Sequence, residues 1–200
     1  INANQIHFSK VNASNLLLLD ANDKKTLTRS DAPDPTAWGL HSSLHRLCPH
    51  ARCAMHVHST YATVLASLED SQLPPIEQNS AMFFNRYVID DNYGGLAFEK
   101  EGERCAALFS DPKKKVMIMG NHGILVIGHT VAETFNTLYY FERAAKVYIK
   151  ALQTGQKLRI LPKKIAERTS RQIDNFPEQG EKHFAAIKQL LDDSSEDYAQ

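Results

Sequence analysis

The chain has 200 residues, 42% of them hydrophobic, and its 23 lysines and arginines balance 23 aspartates and glutamates, so it carries no formal net charge. A chain of this size buries roughly 70% of its unfolded surface and needs no staple to hold one core together. Charge balance excludes a field strong enough to hold the protein on nucleic acid or an anionic membrane, which leaves small molecules or other proteins as partners.

Read in chain order, the sequence is a mixed pattern. It opens INANQIHFSK in what reads as the middle of a β-unit, so an N-terminal part of the domain is expected to precede it. Residues 15–19, NLLLL, read as a buried strand, and the polar stretches DANDKK and TRSDAPDP lead to Thr36 as the expected N-cap of a helix. Leu40, Leu44 and Leu47 form its buried stripe and Pro49 ends it. RCAMHV, residues 52–57, reads as a short strand, and Ser59 is placed to cap a helix carrying Val64, Leu65 and Leu68. From Pro74 to Asp111 no regular element is legible beyond the Gly94-Gly95 turn and the charged EKEGER stretch.

VMIMGNHGILVIG, residues 116–128, is two apolar runs broken at Gly120-Asn121-His122-Gly123, which reads either as two strands joined by a tight turn or as one bulged strand. Thr130 and Glu133 form a capping box. The helix it opens carries Val131, Phe135, Leu138, Phe141, Ala145, Tyr148 and Leu152 and stops at Gly155. Basic LPKKIAERTSRQ and amphipathic KHFAAIKQLL read as two more helices, followed by an acidic tail, DDSSEDYAQ, expected to be disordered. Cys48, Cys53 and Cys105 form neither a disulfide framework nor a metal or redox motif, the usage of a reducing cytosol, so a cytoplasmic location is expected. No apolar run approaches the ~20 residues of a membrane span, and no signal peptide is visible.

The chemistry-bearing pattern is His56-Val57-His58 at the end of an apolar strand. Residues i and i+2 of a strand face the same side, so the two imidazoles point at one place. Two ligands are not a site. His122, flanked by glycines in another strand-end turn, is the natural third, and three neutral imidazoles with one open position suit catalytic zinc or a related divalent ion. By spacing alone, three histidines bonded to backbone remain an equal alternative.

HVHSTYATVLAS together with MGNHGILVIGHTVAETF resembles the class II aldolase/adducin family, and the resemblance runs from about Ile1 to Leu152, with INANQIHFSKVNASNLLLLD matching the strand-and-turn segment ahead of the family's helix. It implies an α/β fold, a three-layer α/β/α arrangement around a mostly antiparallel sheet. The expected organisation is one such domain over residues 1–155, with a helical extension and acidic tail over 156–200. It implies metal ligands at His56, His58 and His122, binding zinc or else manganese, cobalt or nickel, and a homo-oligomer, most simply a tetramer. The family's first helices and its glycine-asparagine phosphate-binding turn have no counterpart here. Pro74-Pro75-Ile76-Glu77-Gln78-Asn79 and Tyr93-Gly94-Gly95-Leu96 are more similar to the bacterial adducin-like branch than to the sugar aldolases.

One family residue is replaced. Sugar-phosphate aldolases carry a Ser-Ser-Glu-Trp-like stretch before the helix whose glutamate moves a proton; here the stretch is Pro35-Thr36-Ala37-Trp38, and alanine cannot accept a proton. Glu77 is the candidate substitute, against the ordinary alternative of a solvated loop glutamate. His41, Tyr61 and Asn121 are the candidates for substrate contact, each set against a packing or turn role. The resemblance thus implies a metal-dependent lyase-like protein acting on a small hydroxy-carbonyl or hydroxy-keto acid compound through a metal-stabilised enolate, by aldol cleavage, decarboxylation or epimerisation. The alternative is a non-catalytic adducin-like assembly domain.

Overall fold

In a computed structural model of the chain, residues 1–94, 98–194 and 198–199 are described. Their backbone forms two compact units, one of residues 1–49, 94–108 and 186–200, the other of residues 50–93 and 109–185.

The first unit contains residues 15–19, NLLLL, which the pattern predicts as a buried strand. Among the described residues a single bridge, Asn2 to Leu16, is all the strand pairing this segment makes; short 3-10 turns occupy 8–10, 13–15 and 26–28, and Leu18 is 100% exposed. An apolar run without a neighbouring strand has no ladder to bury it, so periodicity overstated this element. Helix α1, Pro35–Leu47, is capped by Asp34 rather than by Thr36: the Asp34 side chain accepts from the Thr36 and Ala37 amides at 2.9 and 3.2 Å, and Pro35 takes the first helical position, where a missing N–H costs nothing. Leu40 and Leu44 are buried as expected, whereas Leu47 is 53% exposed because the helix ends there, at Cys48. Helix α4, Glu99–Leu108, lies against α1, and a β-carbon at Gly102 would stand 2.1 Å from the Gly39 carbonyl oxygen, so the two backbones approach this closely only because residue 102 is glycine. Cys48 and Cys105 are free and buried.

The second unit holds the sheet. Strands β1 (Cys53–Val57), β2 (Tyr87–Asp90), β3 (Val116–Met119) and β4 (Gly123–Gly128) pair in the order β1-β4-β3-β2, antiparallel except for the parallel β2–β3 pair. The mostly antiparallel α/β architecture is therefore the one expected. Every residue of β3 and β4 is buried, as central strands require. Alternate residues Val116, Ile118, Ile124 and Val126 face Leu65 of α2 (Thr60–Ala66) and Phe141, Ala145 and Ile149 of α5 (Val131–Gln153) in one core. Helix α2 stops at Ala66, so Leu68 lies beyond it, while Leu65 is fully buried.

Within residues 74–111, where no element was legible, the chain forms α3 (Gln78–Met82), β2 and α4. All are short. Strand β2 gains its stability from the parallel pairing to β3, which no local pattern encodes. Gly94 is described, but Gly95, Leu96 and Ala97 of the expected glycine turn lie outside the described residues.

Of the two readings of residues 116–128, the hairpin is the one realised, with Asn121 at φ 54° in its turn. Helix α5 runs as predicted and ends at Gly155, φ 69°. Its capping box is half made: Thr130 Oγ1 accepts from the Glu133 amide at 3.0 Å, but the Glu133 carboxylate turns to the His129 amide at 2.7 Å and to Lys115. Helices α6 (Lys163–Asp174) and α7 (Glu178–Asp193) occupy the two predicted C-terminal stretches. The tail expected to be disordered begins inside α7, and Tyr198 donates its hydroxyl to Asp192; residues 195–197 and 200 lie outside the described residues. No helix among the described residues is long and apolar enough to cross a membrane.

Candidate metal centre

The register of β1 on β4 builds the site. His56 pairs with Leu125 and Val57 with Ile124, and β3 hands over to β4 through the turn that carries His122, so the last residues of β1 and the hairpin turn meet at one end of the sheet. There the Nε2 atoms of His56, His58 and His122 converge, with separations of 3.2, 3.2 and 3.1 Å. Nitrogens held ~2.0–2.1 Å from a tetrahedral zinc ion lie ~3.3 Å apart, so this spacing is the one a bound ion requires. Lone pairs facing one another at that distance repel unless a proton or a cation lies between them, and three such nitrogens fit a divalent ion. The donor set therefore fits the expected metal.

Each imidazole is held differently. His56 Nδ1 lies 3.0 Å from the Ile124 carbonyl oxygen, so Nδ1 donates and Nε2 presents its lone pair. Burial, with smaller contributions from the two neighbouring histidines, pushes His56 down to about 4, and burial likewise lowers His122, so both rings favour the neutral form that a metal ligand needs. His122 is covered by the Tyr93 ring at 4.5 Å between centroids. The ring of His58 meets Gly123, where a β-carbon would come within 2.8 Å of its Cδ2.

The other sequence candidates fall in several places. Tyr61 is half-buried, packs against the core of α2 and α5, and carries Lys146 at 5.5 Å from its ring. It also lines a cavity of about 590 Å³ beside His58, with Phe135, Leu138, Arg143 and Lys146. Asn121 is exposed in the hairpin turn, its amide donating to the Ala66 carbonyl at 2.8 Å. Glu77 is the N-cap of α3: its two carboxylate oxygens accept from the Asn79 and Ser80 amides at 2.8 and 2.6 Å, so the arrangement gives no support to a proton-transfer role. His41 lies on α1 with its ring 5.9 Å from His45, and it belongs to the other compact unit. Beside that cavity, Tyr139 and Tyr140 contact His183 of α7 at 4.6 and 5.8 Å, while Phe141 is buried in the core.

Two residues at the centre escaped the sequence reading. Tyr93 was visible only as part of a run similar to relatives, not as a neighbour of His122. Glu142, in the middle of α5, accepts three hydrogen bonds from the start of α2, immediately after His58.

The family model described as Class II Aldolase and Adducin N-terminal domain matches residues 1–149. The decarboxylase NovR of Streptomyces niveus is 25% identical over 167 residues, 83% of this chain and 60% of that protein. Beta-adducin of Rattus norvegicus is 30% identical over 125 residues, 61% of this chain and 16% of that protein. The crystal structure of an aldolase II superfamily protein from Pseudomonas syringae superposes with a TM-score of 0.86 at 26% identity, covering 98% of this chain and 79% of that one. The chain spans about 60% of the length of several of the curated relatives it matches.

Proposed function

This chain belongs to the class II aldolase and adducin family, and from that membership we propose that it is a metal-dependent lyase-like enzyme acting on a small hydroxy-carbonyl or hydroxy-keto acid. The observation that carries the proposal is the convergence of three imidazole Nε2 atoms within 3.2 Å of one another. When bound, a divalent ion supplies Lewis acidity, drawing charge from a carbonyl oxygen as a neighbouring C–C or C–H bond breaks. Zinc is the ion we favour, with manganese, cobalt and nickel compatible with the same donors.

The chain's own residues do the rest. The hydrogen bond of His56 to Ile124 keeps its tautomer fixed. In the adjoining cavity Phe135 and Leu138 supply apolar wall, while Arg143 and Lys146 supply positive charge suited to a substrate carboxylate. Ala37 stands where family aldolases place a glutamate. Losing a general acid–base costs ~10²–10⁴-fold, so cleavage of fuculose- or ribulose-type phosphates is expected to be slow, and a keto acid whose carboxylate assists binding is the better substrate class.

The second reading, a non-catalytic assembly domain, draws on the similarity to beta-adducin and on the same alanine. Metal-loaded protein presented with a panel of hydroxy-keto acids separates the two. The enzyme reading expects cleavage or decarboxylation that disappears in His122→Ala; turnover no faster in wild type than in that variant across the panel favours the assembly reading. Homo-oligomerisation, with a tetramer as the simplest state, belongs to the same proposal, and light scattering at micromolar concentration tests it.

A further inference from the structure

The three ligands of the proposed metal centre differ in what orients them. His56 has the Ile124 carbonyl behind it and His122 has the Tyr93 ring, but among the described residues the hydrogen-bond contacts of the His58 ring are only those of Nε2 to the other two histidines. Its position is set by backbone. On one side that backbone is the β1–β4 ladder, which ends at the Val57–Ile124 pair. On the other it is the two-residue link His58-Ser59 into α2, whose first amides need acceptors.

Ser59 occupies the N-cap position with φ −65° and ψ 145°, yet its side chain caps nothing. The acceptor comes from another helix. Glu142 Oε1 accepts from the Tyr61 amide at 2.9 Å, and Oε2 accepts from both the Ala62 amide and the Ser59 hydroxyl at 2.8 Å. One carboxylate on the rigid 23-residue helix α5 thus closes the cap of α2 and ties down the residue that follows His58. A serine capping its own helix would satisfy one amide and leave the link free to pivot; a carboxylate from α5 fixes the link to the core on which the sheet also rests.

We infer that Glu142 is a positioning residue of the metal centre: its three-bond clamp on Ser59, Tyr61 and Ala62 holds His58 in the ligand set. This rests on the metal-centre reading above. Partners of this kind behind a ligand are worth ~10–100-fold in metal affinity.

The test is zinc affinity, measured by competition with a chromophoric chelator, together with the visible spectrum of the cobalt-loaded protein. Both oxygens of Glu142 act as acceptors, so Glu142→Gln confronts one donor with its own NH₂ whichever way the amide turns. The expected result is zinc binding weaker by ~10–100-fold and a cobalt spectrum of lower, shifted intensity, with the far-ultraviolet circular dichroism of a folded chain. Leu65→Ala is the comparison, since Leu65 is buried in the same helix and makes no part of the clamp. It should lower Tm while leaving zinc affinity within about threefold of wild type. Zinc binding by Glu142→Gln within about threefold of wild type, or an equal loss in Leu65→Ala, overturns the positioning role while leaving the metal centre intact. Wild-type protein that binds neither zinc nor cobalt overturns both readings. Should Glu142→Gln fail to fold, Ser59→Ala decides: affinity weaker by about threefold or more at unchanged Tm supports the clamp, and unchanged affinity overturns it.

Discussion

At the scale of single residues, the centre is governed by which nitrogen carries the proton. The bond from His56 Nδ1 to the Ile124 carbonyl assigns that tautomer, and burial keeps the ring neutral well below the usual histidine range, at about 4. A stability consequence follows. In the unfolded chain His56 protonates near pH 6.5; in the folded, metal-free chain it does so near 4, so between these values the unfolded state binds more protons and stability falls as pH is lowered. Thermal unfolding of metal-free wild type beside His56→Asn isolates this contribution from the carboxylates that titrate in the lower part of the range. Wild type should lose more Tm than the variant between pH 7 and about 4.5, and equal losses would contradict the assignment. His56 and His58 were legible because residue type and the i, i+2 spacing of a strand carry their meaning locally, whereas His122 was joined to them only through its glycine-flanked turn and the family resemblance. Glu142 was not, since it reads as one more charged residue on an amphipathic helix, and only the packing of α5 on α2 makes it a cap. Nor can a sequence show the Ile124 carbonyl, which is backbone.

At the scale of elements, what was legible is what is locally encoded. The strand leading into His58, the hairpin around His122 and the long capped helix α5 each carry their own apolar period and end signals, and each is present within a residue or two of its expected bounds. NLLLL failed because a strand is defined by its neighbour. Strand β2 was missed for the converse reason: it ends at Asp90, and the partner that makes it a strand begins only at Val116, with the whole of α4 between them. The hairpin supplies the element-scale prediction. A β-carbon at Gly123 would stand 2.6 Å from the Val57 carbonyl oxygen and 2.8 Å from His58 Cδ2, and a backbone oxygen held in the β1–β4 ladder cannot retreat. Gly123→Ala should therefore cost about 1–3 kcal/mol in denaturant unfolding and weaken metal binding as His58 is displaced. Wild-type stability with wild-type metal affinity would show that β1 and β4 can separate at that point without consequence.

At the scale of the whole molecule, the family assignment rests on a match over residues 1–149 and on a superposition covering 98% of the chain. The mixed sheet gives that assignment its physical content: it brings together histidines from the end of β1 and from the β3–β4 turn that are far apart in sequence. Within the aromatic run of α5, Phe141 is buried and Tyr139, 37% exposed, packs on His183 of α7. The enzyme reading turns on whether the three histidines hold a metal ion, and the most direct measurement is elemental analysis of the purified chain beside His122→Ala, after dialysis against metal-free buffer. The account predicts about one transition-metal ion per wild-type chain and its loss in the variant. Less than about a tenth of an equivalent in wild type, or equal retention by His122→Ala, would contradict it.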